Sequence, residues 1–271
     1  MASLARFLVR IIGNRRTIWA MARMEIRKRY VGTLAGMVWS VAHPLMMILI
    51  YWVIFSLGLR VRPTGNTPFI VYFLCGLIPW TAFAETVGAS SNALTGNPHL
   101  VKKTVFPTEI LPFAHWVASM VSHVIMLVIL AIVILASGLR FSYYNVQFIY
   151  FLLGMAVFSV GLGWIVAALN VFYRDVGQIL TVVLSMWFWV TPVVWPEDMT
   201  LQLPLCVRFL FKANPMWYVV HGYRASLIPD LYAPFWRNWR AGICFWVISL
   251  GIFAVGGLLF RRLKPDFPEV L

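Results

Sequence analysis

"NVFYRDVGQIL" (residues 170–180) sets two adjacent charges, Arg174 and Asp175, between long runs that carry none. Residues 143–173 and 176–196 contain no Asp, Glu, Lys or Arg. A helix needs roughly 20 apolar residues to cross a hydrocarbon core about 30 Å thick, and both runs reach that length. The charged pair is therefore predicted to be the water-facing turn between two crossings. Residues 31–59, interrupted only by His43, and residues 241–260 are similar. Backbone polar groups in hydrocarbon must be satisfied within the segment, which dictates helices, and no alternating pattern suggests a barrel. The expected fold is an all-α integral membrane protein.

Composition agrees: 61% of the 271 residues are hydrophobic and 11% charged, with a net charge of +13. The positive charge is unevenly spread. Eight of the 22 Lys and Arg lie in the first 30 residues, Arg261, Arg262 and Lys264 follow the last apolar run, and Lys102, Lys103 and Arg174 mark two internal loops. By the positive-inside rule both termini and these loops are expected on the cytoplasmic side. Anionic lipid headgroups, rather than nucleic acid, are the expected counter-charge.

Six spans are predicted, at about 31–59, 68–93, 109–137, 145–172, 176–196 and 239–260. Leu4, Phe7, Leu8, Ile11 and Ile12 recur at helical spacing with Arg6 and Arg10 between them, and Ile18, Trp19, Ala22 and Ile26 resume the stripe. Residues 1–30 thus read as an amphipathic helix in the cytoplasmic interface, not as a cleaved signal. Residues 31–263 form the membrane domain and 264–271 a cytoplasmic tail. Between the fifth and sixth spans, residues 199–238 are too apolar for a water-borne loop. Pro204, Pro215, Gly222, Pro229 and Pro234 chop them into pieces too short to cross, so re-entrant or interfacial helices are expected.

Few residues invite chemistry. There is no Gly-x-x-x-x-Gly-Lys-[Ser/Thr], no His-Glu-x-x-His and no Gly-x-Ser-x-Gly, so neither nucleotide hydrolysis nor another enzymatic role is expected of this chain. Cys75, Cys206 and Cys244 are widely spaced, giving no zinc or disulfide pattern and no expected metal site. Glu85 lies well inside a span, where an acid is a functional candidate, and His115 and His123 lie two turns apart on the third helix. Aromatic residues stud the first and fifth spans: Trp39, Tyr51, Trp52 and Phe55 in one, Trp187, Phe188 and Trp189 in the other. Headgroup belts account for many of these, while those near mid-span also suit stacking on apolar sugar faces.

Four stretches, in register over nearly the whole chain, resemble the permease subunits of type-2 ABC transporters that export O-antigen and related polysaccharides. They are "RKRYVGTLAGMVWSVAHPLMMILIY" (27–51), "NPHLVKKTVFPTEILP" (97–112), "NVFYRDVGQIL" and "NPMWYVVHGYR" (214–224). The resemblance implies a homodimeric channel in the bacterial inner membrane. Two copies of an ATP-binding subunit would dock beneath it, with ATP and Mg bound by that partner rather than by this chain. It further implies that Asn97, Pro98, His99, Leu100, Val101, Lys102 and Lys103 couple to the ATPase, with Arg174 and Asp175 at a second contact. Arg174–Asp175 also reads as a hairpin turn, with Asp175 favoured by the helix dipole; the two readings are compatible. The implied cargo is a lipid-linked polysaccharide moving from cytoplasm to periplasm. Trp39, Tyr51, Trp52, Phe55, Trp187, Phe188 and Trp189 would line its path, with Trp217 and Tyr218 in a periplasmic gate. Arg27, Lys28 and Arg29 suit a diphosphate headgroup at the inner entrance. Two other classes remain open: a proton-coupled carrier using Glu85, and a membrane anchor without a channel.

Overall fold

A computed structural model describes residues 13–30, 38–61, 67–102, 106–202, 204–228 and 231–271. The described residues are helical, with no strand among them. Residues 4–12 of the expected amphipathic helix lie outside this set. The rest of that segment is α1 (Arg15–Tyr30), which buries Met21 and Ala22 and exposes Trp19, Arg23, Arg27 and Lys28.

Among the described residues, five helices are long and apolar enough to cross a membrane: Val41–Gly58, Phe69–Ser91, Thr108–Ala136, Tyr143–Phe172 and Phe235–Val270. The first comprises α2 (Trp39–Trp52), with Pro44 inside it, and a π-helical continuation Val53–Gly58. The second is α3 (Phe69–Ser91), followed by the short α4 (Pro98–Val101). The third and fourth contain α5 (Leu111–Ala136) and α6 (Phe148–Phe172).

The fifth expected span, 176–196, differs. Its helix, α7 (Asp175–Val190), has 16 residues, below the roughly 20 of a full crossing. It stops because Pro192 disfavours helical backbone at Thr191, which is extended at φ −82° and ψ 131°. Two shorter helices follow, α8 (Leu205–Ala213) and α9 (Pro215–Leu227), before α10 (Trp239–Leu263) and α11 (Phe267–Val270).

The central element is α3, buried almost throughout and packed on α5, α6 and α9. By contrast α2 and α7 bury little: Leu45, Leu49 and Ile50 on one, and Ile179, Val182 and Met186 on the other, remain exposed. Residues 264–271, expected as a tail, fold back. Phe267 is fully buried against Phe260 and Phe172, and α11 packs beside α4.

Between α6 and α10 the backbones themselves touch. A Cβ on Gly161 would fall 2.6 Å from the Phe253 Cα, and one on Gly256 would fall 2.2 Å from the Gly161 carbonyl oxygen. Lipid is as apolar as Leu, so helix association in a membrane relies on such close packing of small residues. Gly256→Val should therefore force the two helices apart. The expected result is a fall in thermal unfolding temperature in detergent, against no comparable fall for Gly251→Val, where a side chain meets nothing within 4 Å.

Candidate functional site

The polar groups gather at the two ends of the bundle. At the α4 end, Asn97 is buried; its Nδ2 donates to the Ala93 carbonyl at 3.0 Å and its Oδ1 accepts from Lys28 Nζ at 3.3 Å. Lys28 also pairs with Glu25 at 3.0 Å, so it ties α1 to the segment before α4. Pro98 begins α4, where its missing amide costs nothing. Val101 faces the core, Leu100 is half-buried, and His99 and Lys102 point outward; Lys103 lies outside the described residues.

The Arg174–Asp175 turn lies at the same end. Both side chains are exposed, Asp175 is in the first turn of α7, and no side-chain cap bond closes the helix. The turn is held by Asn170, which sequence reasoning missed although it begins the quoted stretch. Its Oδ1 accepts from the Gly177 amide at 2.9 Å, and its Nδ2 donates to the Ser91 carbonyl at 2.9 Å. A buried Asn at the end of an uncharged helix, a few residues before a Gly, was the available signal. Nearby, Lys264 forms an ion pair with the fully buried Glu109, fastening α10 to the start of α5.

At the α9 end, buried Arg224 joins three parts of the chain. Its Nε donates to the Tyr72 carbonyl (3.4 Å), its Nη2 to the Val193 carbonyl (2.8 Å) and its Nη1 to Glu197 Oε1 (3.1 Å). The guanidinium also lies 3.7 Å over the Tyr72 ring. Glu197 Oε2 meets His221 Nδ1 at 2.9 Å. Asn214 caps α9 at the Met216 amide, donates to Thr191 Oγ1 at 2.9 Å and accepts from Trp187 Nε1 at 2.8 Å. Trp217 stacks on His221 at 5.0 Å, and Tyr218 stacks on Phe245 at 4.9 Å. Neither Arg224 nor Glu197 was singled out from the sequence, though each is a charge in a strongly apolar stretch.

Between the ends, a cavity of about 520 Å³ opens among α2, α3, α5 and α7. Tyr51, Trp80, Phe188 and Trp189 line it with Glu85, Thr181 and Ser185. Tyr51 stacks on Phe73 at 5.0 Å and Phe188 packs edge-on against Trp80 at 5.6 Å, so the aromatics of α2 and α7 meet through α3. Of the other aromatic candidates, Phe55 stacks on Phe69, and Trp187 packs against Phe83 and Phe158 away from the cavity. Trp39 is exposed and Trp52 half-buried; neither lines the cavity. His115 and His123 are buried in α5 and do not line it either; His123 Nε2 instead meets the Tyr223 hydroxyl at 3.2 Å. Arg27 and Lys28 are exposed on α1, and the side chain of Arg29 lies outside the described residues. Among the described residues there is no cluster of three or more His, Cys, Asp or Glu placed to hold a metal.

Residues 16–228 match the family model described as ABC-2 type transporter. The chain belongs to that family. It is a multi-pass permease, the membrane component, and family membership implies a separate ATP-binding partner. It is 27% identical over 248 residues, 91% of this chain and 92% of the relative, to an O-antigen export system permease protein of Klebsiella pneumoniae. A second relative, the O-antigen export system permease protein of Myxococcus xanthus, is 29% identical over 206 residues, covering 76% of this chain and 78% of its own.

The Arg224 cluster makes two predictions for the permease. Removing one partner from a buried ion pair strands the other charge and costs about 3–5 kcal/mol. Arg224→Met should destabilise by that order in detergent unfolding, and adding Glu197→Gln should cost less than the sum of the single changes. The second concerns pH. Burial pushes the Glu197 carboxyl up, but His221 and Arg224 outweigh it and hold the carboxyl below its ordinary 4.5. Burial pulls His221 down, with Arg224 and Lys212 adding to this, yet Glu197 prevails and raises the imidazole above its ordinary 6.5. The Glu197 contribution is complete above 4.5 and is lost as pH falls through the lower folded value. The His221 contribution is complete below 6.5 and is lost as pH rises through the higher one. Thermal stability should therefore show a shoulder between these values that His221→Gln removes on the alkaline side.

Proposed function

We propose that this permease forms, as a homodimer in the bacterial inner membrane, the channel of an ATP-driven exporter. Its cargo is a lipid-linked O-antigen or related polysaccharide passing from cytoplasm to periplasm. The observation that carries the reading is the aromatic cavity beside α2 and α7, two helices whose outer faces lack intramolecular cover. Sugar rings present apolar C–H faces that suit Tyr, Phe and Trp, while the hydroxyls of Thr181 and Ser185 along α7 exchange hydrogen bonds without strong retention. Tyr51, Phe188 and Trp189 are then the path, and Phe55 and Trp187 support its wall. Trp39 and Trp52 lie on the same spanning helix, toward the second copy or lipid. The names of the relatives favour this cargo over other type-2 substrates.

In this reading α7 together with its flanking turns makes the fifth crossing in chain order, bringing the total to six, and both termini are cytoplasmic. The α4 end then faces the ATPase. His99 and Lys102, with Arg174 and Asp175, offer it exposed polar contacts, while Asn97, Pro98, Leu100 and Val101 seat α4 in the bundle. Lys103 continues the same loop. Because Asn170 bonds to Ser91 at the end of α3 and to Gly177, motion of the segment leading from α3 into α4 would pass to the base of α7, which borders the cavity. Arg27, Lys28 and Arg29 attract the diphosphate of the lipid carrier, with Lys28 also bonded to Asn97. At the opposite end, α8 and α9 form the periplasmic gate that holds Trp217 and Tyr218.

The test is export by cells whose permease carries Trp189→Ala together with Phe188→Ala. Surface polysaccharide should fall at least about tenfold, the order expected when about 1.4 kcal/mol of favourable contact is lost, while the permease still co-purifies with its ATP-binding subunit. Normal export by this variant would remove the aromatic path. A permease that purifies without any ATPase would overturn the coupling scheme. A cysteine at Met186, exposed on α7, should cross-link to its counterpart in a second copy; failure to do so in the assembled transporter would overturn that packing.

A further inference from the structure

A second cavity, of about 450 Å³, lies at the α9 end, apart from the aromatic path. Tyr72 of α3, Phe151 of α6, the Glu197–Asp198 turn, one face of α9 and residues 231–238 enclose it. Its volume falls within the range of small-molecule sites, about 300–1,000 Å³. The channel scheme places Tyr218 of its wall in the gate but gives the cavity itself no role.

Its lining is selective. Tyr218 and Phe235 contribute aromatic surface; Phe235 has one face stacked on Tyr150 at 4.7 Å and remains 39% exposed. Hydrogen-bonding groups of both kinds sit beside these rings: the carboxylate of Asp198, the amide of Asn238 and the guanidinium of Arg237. Arg237 is exposed and makes no ion pair with a described residue. The formal charges nearly cancel, since Glu197 and Asp198 oppose Arg224 and Arg237, with His221 adding at most one positive charge.

That balance decides between ligands. Two carboxylates in the wall disfavour a phosphate, and four charged side chains disfavour an acyl chain. A neutral polyol suits this mixture of donors and acceptors. Vicinal hydroxyls accept from the Arg237 guanidinium and the Asn238 amide, donate to Asp198, and leave an apolar ring face for Phe235 or Tyr218. We propose that this pocket binds one or two sugar units of a glycan on the far side of the membrane from the ATPase. It is a capture site for emerging polysaccharide, separate from the channel. The proposal rests on the export reading for the source of the glycan. Three lining residues, Glu197, His221 and Arg224, are also the groups that hold α9 to α3 and to the turn after α7. An occupied pocket therefore stabilises α9 in this position, because a ligand that binds only one conformation favours it.

The experiment uses the permease assembled with its ATP-binding subunit in lipid nanodiscs. The probes are the mono- and disaccharides released by mild acid hydrolysis of the host's own exported polysaccharide, read by saturation-transfer NMR and titration calorimetry. Saturable binding is expected, weakened at least tenfold by Phe235→Ala and by Arg237→Ala. Both side chains are exposed, although Phe235 also stacks on Tyr150, and an unchanged thermal unfolding temperature of each sugar-free variant shows the fold to be intact. The sugars should also raise the thermal unfolding temperature of the unaltered transporter. Binding that survives both changes but is lost with Trp189→Ala puts the sugar in the channel cavity, which overturns this site and leaves the export reading standing. Inorganic phosphate or phosphatidylglycerol vesicles competing fully with the sugars would show an anion or lipid site and overturn it as well. So would absence of any saccharide binding while cells with Phe235→Ala export normally. Loss of export in the Trp189 and Phe188 test bears on the export reading and not on the pocket.

Discussion

Hydrocarbon supplies no hydrogen bonds, so each polar group that this chain carries into the membrane must find its partner within the protein. That constraint explains where charged and amide side chains occur. Apart from Glu85 in the central cavity, those described above collect at two levels, with a mostly apolar and aromatic layer between them. At one level, Asn97, Asn170 and Glu109 fasten the loops and helix ends near α4. At the other, Arg224, Glu197 and Asn214 fasten α9 and the turn that follows α7. Most of these groups bond to backbone carbonyls or amides exposed where helices begin and end. The apolar layer between relies on close packing, as at Gly161 and Gly256.

The two levels differ in kind. At the α4 end, neutral amide bonds from Asn170 and Asn97 accompany one buried ion pair, Glu109–Lys264. The α9 end depends on ionised groups, with Arg224 satisfied at once by two carbonyls and a carboxylate. Buried ion pairs contribute little net stability compared with apolar packing, but they tolerate few alternative arrangements. In the gate proposed for α9, that discrimination would favour defined positions. The pocket beside it is lined by the same charged groups, Glu197, His221 and Arg224.

Much of the membrane architecture was legible because long uncharged runs have one physical explanation. The α3, α5, α6 and α10 helices lie close to the stretches expected for them. The helix of the fifth expected span ends at Val190, before the stretch does, because hydropathy counts Val193, Val194 and Trp195 as apolar and ignores the constraint that Pro192 imposes on Thr191. The candidate residues divide in the same way. Exposure of His99, Lys102, Arg174 and Asp175 follows from local polarity. That Trp187 faces Phe83 while Phe188 and Trp189 line a cavity depends on the neighbours of α7, and three adjacent aromatics look alike in sequence.

The sequence by itself determined the solvent: apolar runs of spanning length, and bases concentrated in a few loops, admit only a helical membrane protein. It also carried enough motif in order to indicate the permease family. Only the tertiary structure decided the pairings between distant polar residues. Arg224 meets Tyr72 across 152 positions and Lys264 meets Glu109 across 155, separations at which no local pattern identifies a partner. Local periodicity reports which face of a helix is apolar. It does not report which other helix covers that face, because all apolar faces are chemically alike until packing and the few buried hydrogen bonds select among them.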